Sequence, residues 1–376
     1  MLLYKYSAFF QMLAMSVMNL FPLYWVSLGY SDRAIGILNG LAMITAIVGP
    51  LYFGWIGSRR SPSAIVAICF VGTGVLTPLM LVLTGFSVQT ILFGVTQFLK
   101  VGFLTLVPVG VLHLLGPQAG LDYGRYRRVG SAGFLVAGFA GILVQQTNPS
   151  ITVWIVAGAS ILAALPFLGT VKIPLTHAPK EGFQDLLTDK AMRSFLLASL
   201  LLSTWNAGVW VFLPLRMHEM GASPTLISWT LAECGLIAIT SLSLLGRLVD
   251  RIEKPASLYL VVPFASALRL LFMALPTAHP EWFMAIQWMH TLVWVLGELV
   301  QIQFIRKYTP PSLFPRAQAL LTVATFAGMG IASLAMGLLV EPFGLRATLA
   351  ISAVFPLLAL PFMVLTLKAL PRQTHP

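Results

Sequence analysis

Residues 63–84 read SAIVAICFVGTGVLTPLMLVLT and contain no charged side chain. About 20 apolar residues in a helix cross the roughly 30 Å hydrocarbon core of a bilayer, so this run predicts a transmembrane helix. Similar runs recur along all 376 residues, and they indicate an all-α integral membrane protein. We predict twelve transmembrane helices, at residues 6–27, 35–57, 63–84, 89–115, 129–147, 150–171, 193–216, 225–248, 256–277, 282–305, 316–340 and 345–369.

The composition excludes the soluble classes of protein. Hydrophobic residues make up 58% of the chain and charged residues only 9%, whereas a soluble domain carries about 25% charge. Cys69 and Cys234 both lie inside apolar runs, so we expect neither a disulfide framework nor a metal site. The first run is too long for a signal-peptide core and lacks a small-residue cleavage site, so we expect it to be retained.

The net charge of +11 is explained by where the basic residues lie. Most of the 23 lysines and arginines fall in alternate loops, beginning with Lys5, whereas the intervening loops hold only Arg33, Arg216 and Arg346. We predict that the protein lies in the inner (plasma) membrane. By the positive-inside rule, both of its termini are predicted to be on the cytoplasmic side. The chain has no basic-aromatic module, so we expect the lipid bilayer and not nucleic acid as its partner. We expect a monomer.

The two halves of the sequence resemble each other. Residues 28–33 read LGYSDR and residues 220–225 read MGASPT, and the same offset relates Pro22 to Pro214 and Gly54 to Gly246. These matches predict a tandem repeat of two six-helix halves in one orientation, 1–171 and 193–376, joined by a polar cytoplasmic linker at 172–192. Parallel repeats around a midplane site are one plan of secondary transporters.

Ionisable side chains inside apolar runs are the strongest functional signal. Each costs roughly 2.5–3.5 kcal/mol at the bilayer centre by insertion scales, so it is expected to face a cavity or a partner. One interpretation is a set of structural ion pairs, with Lys100 pairing to Glu233 or Glu298. The other is a solute site with proton coupling, since a buried carboxylate can take up a proton in one facing state and release it when a cation approaches. The candidates for proton coupling are Glu298, Glu233, His290 and Arg269, and we expect Glu233 to lie near Arg269.

The tenth predicted helix carries a polar face. Gln287, His290, Trp294, Glu298 and Gln301 follow one another at steps of three or four residues, so they share one side of the helix. A stripe buried purely for packing is the alternative, but two ionisable groups beside an indole favour a cavity wall. The candidate substrate-binding residues of the whole chain are Lys100, Arg127, Asn19, Trp205, Asn206, Trp210, Trp294 and Gln301.

Two motifs resemble those of major facilitator transporters. Residues 246–251, GRLVDR, resemble the GxxxDR loop motif of that superfamily, and residues 54–60, GWIGSRR, resemble a second copy without its aspartate. Residues 122–131, DYGRYRRVGS, resemble the DYGxxRxxGS signature of the 3-phenylpropionate permease group and a similar segment of lactose permease. The resemblance implies a loop at the cytoplasmic gate, which here holds Gly246, Asp250, Arg251 and Arg59.

The same resemblance suggests roles within the site. It implies that Arg127 contacts substrate and that Glu233, Arg269 and His290 occupy positions used by proton symporters, although Val293 stands where lactose permease has a carboxylate. The implied function is proton-coupled symport of a small organic solute, and an aromatic carboxylate such as 3-phenylpropionate is favoured. The alternatives are a sugar or nucleoside symporter and, in another class, a membrane scaffold that transports nothing.

Signatures of other chemistries do not occur in the sequence. It contains no GxxxxGK[ST] loop for ATP and no HExxH, GxSxG or CxxC motif. We therefore predict neither an enzyme nor a protein with a cofactor, catalytic residues or a bound metal.

Overall fold

The computed structural model describes residues 2–57, 59–114, 119–169, 171, 173, 183–252, 255–310 and 313–370. Within them the chain is helical throughout, as the long apolar runs predict. The helices are α1 (Leu2–Ser27), α2 (Asp32–Gly57), α3 (Pro62–Val82), α4 (Phe86–Leu114), α5 (Tyr126–Gln146), α6 (Ile151–Leu168), α7 (Lys190–Glu219), α8 (Pro224–Arg251), α9 (Ala256–Met273) and α10 (Trp282–Tyr308), followed by the long segment Arg316–Ala369.

The last segment explains why the described residues show eleven candidate spans where twelve are predicted. Its 54 residues are too long for one crossing, and Gly344 interrupts the helix with φ of 75° and ψ of 164°. Only glycine adopts this backbone without strain, because it has no Cβ. We refer to residues 314–343 as α11 and to residues 345–369 as α12. The count of twelve spans stays a prediction.

The helix ends differ modestly from the predicted spans. The helix leading into α5 begins at Ala119, ahead of the predicted start at 129, and α7 runs from Lys190 to Glu219, beyond both ends of the predicted 193–216. The polar linker at 172–192 lies mostly outside the described residues, apart from a short helix, Phe183–Thr188. The assignment of the two halves and of this linker therefore stays a prediction.

The apolar cores are arranged differently at the two ends of the molecule. We call the end that carries Lys5 and Arg59 the basic end, and the end that carries Arg33 and Glu341 the opposite end. At the basic end, one core lies within α1–α6 around Phe70, and a separate core lies within α7–α12 around Phe304. At the opposite end, side chains from both sets of helices form a single core. The molecule is therefore closed at the opposite end.

Small residues allow this closure. A Cβ on Gly36 of α2 would lie only 2.6 Å from Cα of Gly337 on α11, and a Cβ on Gly235 of α8 would lie 2.6 Å from the Ser131 carbonyl on α5. Small side chains let helix backbones approach within a membrane and gain dispersion contacts that larger residues prevent. The two crossings, α2 with α11 and α5 with α8, hold the first six helices against the rest.

A glycine of α11, among helices α7–α12, gives a test of helix packing. A Cβ at Gly328 of α11 would collide with the Leu200 backbone carbonyl of α7. We expect Gly328→Ala to destabilise the protein by about 1–3 kcal/mol, because the two helices must separate to fit the methyl group. Thermal unfolding in detergent should show a lower midpoint than that of the unmodified protein.

The matched control for this change is Gly158→Ala on α6, where the added methyl group meets nothing within 4 Å. Here alanine should be neutral, or stabilising by up to about 1 kcal/mol through its helix propensity. Equal unfolding midpoints for the two variants would contradict the packing described for α7 and α11.

Candidate functional site

A narrow cavity lies where α1, α2 and α4 meet α7 and α11. Its volume is about 30 Å³, room for a water molecule but not for an organic solute, so a solute can occupy it only when the two sets of helices separate further. The cavity is amphipathic, with amides and one cation among aromatic and thioether groups. Its lining is Met18, Asn19, Pro22, Trp25, Asn39, Phe93, Gln97, Lys100, Trp210, Val211 and Met329.

Lys100 and Gln97, one helical turn apart on α4, supply the polar groups on one side of this cavity. The Lys100 ammonium lies 5.8 Å from the centre of the Phe326 ring of α11, and among the described residues no carboxylate lies within ion-pair distance of it. Gln97 is 3% exposed, yet its Oε1 accepts no hydrogen bond within the described part of the chain. Both side chains are thus available to a ligand. The ion pair predicted between Lys100 and Glu233 or Glu298 does not form in this structure.

Glu298 instead forms an ion pair across the two sets of helices. Its Oε1 accepts a hydrogen bond from Arg127 Nη2 of α5 at 2.5 Å, and both side chains are about one-fifth exposed. Arg127 therefore points into the interior. A charge-assisted hydrogen bond of this kind is strong in a low-dielectric interior. The second carboxylate oxygen, Oε2, is buried without a partner among the described residues.

Arg269 of α9 is the most deeply buried charge, at 1% exposure. Its guanidinium donates to Gln287 Oε1 and to His290 Nδ1, the latter at 3.3 Å, and Nη2 lies 3.9 Å from the Cys234 sulfur. Since a guanidinium only donates, Nδ1 must accept, and the imidazole proton resides on Nε2. The described contacts of Arg269 include no carboxylate, so Glu233, which we expected beside it, is not its partner here.

The aromatic candidates gather around His290. Trp205 and Trp210 of α7 meet the imidazole edge-on at 6.2 and 6.0 Å, and Trp294 stacks on it at 5.2 Å with an interplanar angle of 10°. Each contributing helix contains one π-helical turn at this point, Gly208–Phe212 in α7 and Thr291–Val295 in α10. Such turns insert one extra residue and redirect the side chains around them, and they are frequent at functional sites.

The remaining candidates have local hydrogen bonds. Asn206 accepts from the Trp210 indole at 3.0 Å, and Gln301 donates to the Tyr259 hydroxyl at 2.6 Å. Oε2 of Glu233 is buried without a hydrogen-bond partner among the described residues. Asn206 and Gln301 thus position neighbouring side chains in this state, whereas Glu233 keeps one oxygen available.

The structure describes only part of the candidate gate loop. Gly246 lies near the end of α8, and Arg59 is exposed with its guanidinium 4.3 Å above the Trp55 ring. The side chains of Asp250 and Arg251 lie outside the described residues, so a latch at this loop stays a prediction.

Sequence reasoning missed two contacts that join the two sets of helices. Asn39 of α2 donates to the Ser333 hydroxyl of α11 at 3.1 Å, and Arg33 forms an ion pair with Glu341 at the opposite end. Asn39 carried the same signal as the candidate Asn19, an isolated amide in an apolar run. Arg33 and Glu341 gave no such signal, because charges at helix ends usually face solvent.

A larger cavity of about 340 Å³ opens at the opposite end, within the first six helices. Its lining contains hydroxyls, an amide and Trp154 but no carboxylate, lysine, arginine or histidine, and none of the buried charges reaches it. We therefore locate the candidate site in the narrow central cavity and in the adjacent cluster around Arg127, His290 and Glu298, where the charged and aromatic groups meet.

Solved structures resemble this fold along almost the whole chain. The nucleoside transporter NupG, in a mutant form, superposes with a TM-score of 0.81 at 18% identity, covering 97% of this chain and 99% of that chain. A POT family transporter in complex with a thioalcohol-conjugated peptide gives 0.76 at 10% identity, covering 97% and 95%. A bacterial homolog of the human lysosomal transporter Spinster, inward-facing and occupied, gives 0.73 at 15% identity, covering 98% and 96%.

At these identities the likeness establishes the fold, and comparison with curated proteins finds no match. The sequence itself matches the MFS_1 like family over residues 2–351, nearly the full length. Together with the apolar helices, this match identifies the chain as a multi-pass membrane protein with the fold of the major facilitator transporters. The chain belongs to the MFS_1 like family.

Proposed function

We propose that this protein is a proton-coupled symporter that carries a nucleoside-like solute by alternating access. The observation that carries the proposal is the ion pair between Arg127 and Glu298, which joins the two sets of helices within the membrane-spanning region. Charged groups at this depth are expensive unless they serve a pathway or a relay. The Arg127–Glu298 bond crosses the interface between the two sets of helices, and its strength depends on the charge of the carboxylate. Protonation of Glu298 is therefore linked to movement of the helices.

The proposed cycle follows from the electrostatics. Protonation of Glu298 removes its negative charge, so the bond to Arg127 weakens and the two sets of helices can change their relative position. Release of the proton restores the pair and favours the arrangement described above. Because the Arg127–Glu298 interaction differs between the two facing states, protonation of Glu298 shifts the population from one state to the other. Glu233, with one oxygen free, is the second proton site that we propose.

A nucleoside suits the lining of the central cavity. Asn19, Asn39 and Gln97 each both donate and accept hydrogen bonds, as the hydroxyls of ribose and the polar edge of a base require. Trp210, half-buried in the cavity wall, offers a ring on which a base can stack, and Trp25 adds apolar surface to the same lining. The fold likeness to the nucleoside transporter NupG supports the same solute class. Arg127 is already neutralised by Glu298 and does not add to the charge presented to a solute.

An aromatic carboxylate is the second candidate, because two cations remain unbalanced. Lys100 and Arg269 lack a carboxylate partner within the described residues, and a carboxylate of the solute would supply one. In the described lining of the central cavity, however, Lys100 is the single charged side chain among three amides. We therefore rank the neutral solute first.

Orientation completes the proposal. We infer that the basic end faces the cytoplasm, with both termini on that side of the inner membrane, because that end carries the excess of lysine and arginine. The closed opposite end then corresponds to an inward-facing arrangement. We further propose that two six-helix halves move as units in a monomer, with the gate loop around Gly246 closing the cytoplasmic side.

Uptake in a lightly buffered cell suspension tests the function. Uridine, 3-phenylpropionate and a disaccharide are added in turn while the external pH is followed. A transient alkalinisation with uridine supports nucleoside symport, and one with phenylpropionate moves the assignment to the second candidate. Absence of a pH response and of labelled solute uptake, with the protein shown to be in the membrane, contradicts proton symport of these classes.

The size of the rise in KM caused by replacing Lys100 distinguishes the two candidate solutes. With uridine, we expect Lys100→Gln to raise KM by about tenfold or less, because glutamine keeps a donor and only the charge-assisted part of the hydrogen bond, about 1 kcal/mol, is lost. With a carboxylate solute, the loss should exceed about 100-fold, since removing one partner of a buried ion pair costs about 3–5 kcal/mol. Initial rates of labelled uptake over a concentration range measure both. A loss of over 100-fold with uridine would contradict the role given to Lys100.

A further inference from the structure

The Trp294 indole contacts side chains that come from both sets of helices. On α10 itself the ring stacks with His290 at 5.2 Å, almost parallel. The Arg127 guanidinium of α5 lies 5.5 Å from the centre of the same ring. Arg127 thus has both the indole face and the Glu298 carboxylate as partners.

The local shape of α10 produces this arrangement. His290, Trp294 and Glu298 are spaced four residues apart, and the π-helical turn Thr291–Val295 includes Trp294. In a regular helix a four-residue step advances each side chain slightly around the axis. The π-helical turn is wider than a regular turn, so it changes the direction in which the Trp294 indole projects from the helix. The result is a contiguous row of imidazole, indole and carboxylate along one side of the helix, with Arg127 packed against the last two.

The row also separates like charges. Arg269 donates to His290 Nδ1 at 3.3 Å, so the imidazole faces a guanidinium and carries its single proton on Nε2. His290 is also faced by the rings of Trp205, Trp210 and Trp294 and, among the described residues, by no carboxylate within ion-pair distance. The stacked imidazole and indole therefore lie between the Arg269 and Arg127 guanidinium groups. Arg127 is thereby directed to Glu298 and away from the second cation.

We propose that Trp294 is a positioning residue for proton coupling, and that its indole face holds the Arg127 guanidinium in register with Glu298 through the protonation cycle. The inference rests on the proposed function, because it takes Glu298 as the proton site. When Glu298 binds a proton from the aqueous path, its carboxylate becomes the neutral acid and the bond to Arg127 weakens. The quadrupole of the indole still attracts the cation. When the proton returns to water, the guanidinium is close enough for the ion pair to form again.

The first experiment measures uridine in vesicles under an imposed pH gradient and, separately, uridine exchange with equal solute and pH on both sides. We expect Trp294→Leu to reduce the accumulation ratio by up to about tenfold, since a cation–π contact that is only partly shielded from water contributes up to about that factor. Exchange should stay within about twofold of the unmodified protein, because it needs no net proton movement. Trp294→Phe, which keeps a ring face, should restore most of the accumulation. Trp154→Leu, an exposed tryptophan far from the site, is the matched control and should change neither readout.

Two results would overturn the inference. A parallel fall of exchange and accumulation in Trp294→Leu would show that the indole acts on solute binding or folding. Equal losses in Trp294→Leu and Trp294→Phe would show that the ring face is not the cause.

A second experiment does not depend on the solute. We compare unfolding temperatures in detergent for Trp294→Leu, Arg127→Gln and the double variant. Trp294→Leu should lower the midpoint by about 2 °C in the unmodified protein and by less than half of that in Arg127→Gln. Trp205→Leu, whose ring faces Arg269 at 5.2 Å, should be additive with Arg127→Gln. Additive effects at Trp294 would overturn the inference, whereas failure of the unmodified protein to accumulate uridine would overturn the proposed solute and leave the positioning of Arg127 by the indole to be decided by the unfolding temperatures.

Discussion

Replacing Glu298 with glutamine is expected to abolish accumulation of solute against a gradient. With a pH difference of about one unit, coupling to one proton drives an accumulation of about tenfold, since a tenfold ratio corresponds to about 1.4 kcal/mol. Glutamine keeps the shape and one acceptor oxygen but cannot take up and release a proton. The bond to Arg127 therefore no longer changes with protonation, and the expected ratio of internal to external solute is about one.

Exchange should survive in this variant. A glutamine amide oxygen still accepts from Arg127, so the interior stays folded and the solute still equilibrates across the membrane. The matched control is Glu281→Gln, an exposed carboxylate at the start of the same helix, which should accumulate solute normally. Labelled uridine at steady state, with and without a protonophore, measures the ratio. Full accumulation in Glu298→Gln would eliminate Glu298 as the obligatory proton site and leave Glu233 as the remaining carboxylate candidate.

The second large effect is expected at the crossing of α2 and α11. A valine at Gly36 places its Cβ within 2.6 Å of the Gly337 backbone and 2.8 Å of the Phe212 ring. No rotamer removes such a backbone clash, so the opposite end cannot close as described. We expect uptake to fall at least about fivefold, because overpacking of about 1–3 kcal/mol shifts the equilibrium between the two facing states by about fivefold to more than 100-fold.

Membrane levels and labelling distinguish this effect from misfolding. A cysteine at Asn39, introduced after Cys69→Ser and Cys234→Ser, should react faster with an impermeant maleimide added from outside when Gly36→Val is present. Gly54→Val lies on the same helix where an added Cβ meets nothing within 4 Å, so its uptake and labelling should be unchanged. Normal uptake in Gly36→Val would contradict the role of this crossing in the cycle.

The sequence predicts the fold of this protein more completely than it predicts the contacts within the candidate site. The apolar runs predicted the helices because burial of backbone groups in lipid permits few other structures. The ionisable residues predicted which side chains would be unusual, since a charge in such a run is costly wherever it points. Lys100 in the central cavity and Glu298 in an ion pair are consistent with that argument.

The partners of these residues were not predictable in the same way. Arg127 and Glu298 are 171 residues apart, and their pairing depends on how α5 and α10 are positioned relative to each other. Arg269 was expected near Glu233 but contacts Gln287 and His290, because rotation of a helix by a fraction of a turn changes which neighbour a long side chain reaches. The π-helical turns have no distinctive local composition. Charge and hydropathy patterns thus indicate which residues matter, and helix packing decides what each one binds.

The single core at the opposite end has a consequence for the temperature dependence of transport. In the alternating cycle this end must open, and side chains such as Met43, Phe212 and Leu213, now fully buried, must then meet water. Exposure of apolar surface raises the heat capacity. The equilibrium between the two facing states is therefore expected to curve with temperature, and an Arrhenius plot of turnover should bend even in a membrane that undergoes no phase transition.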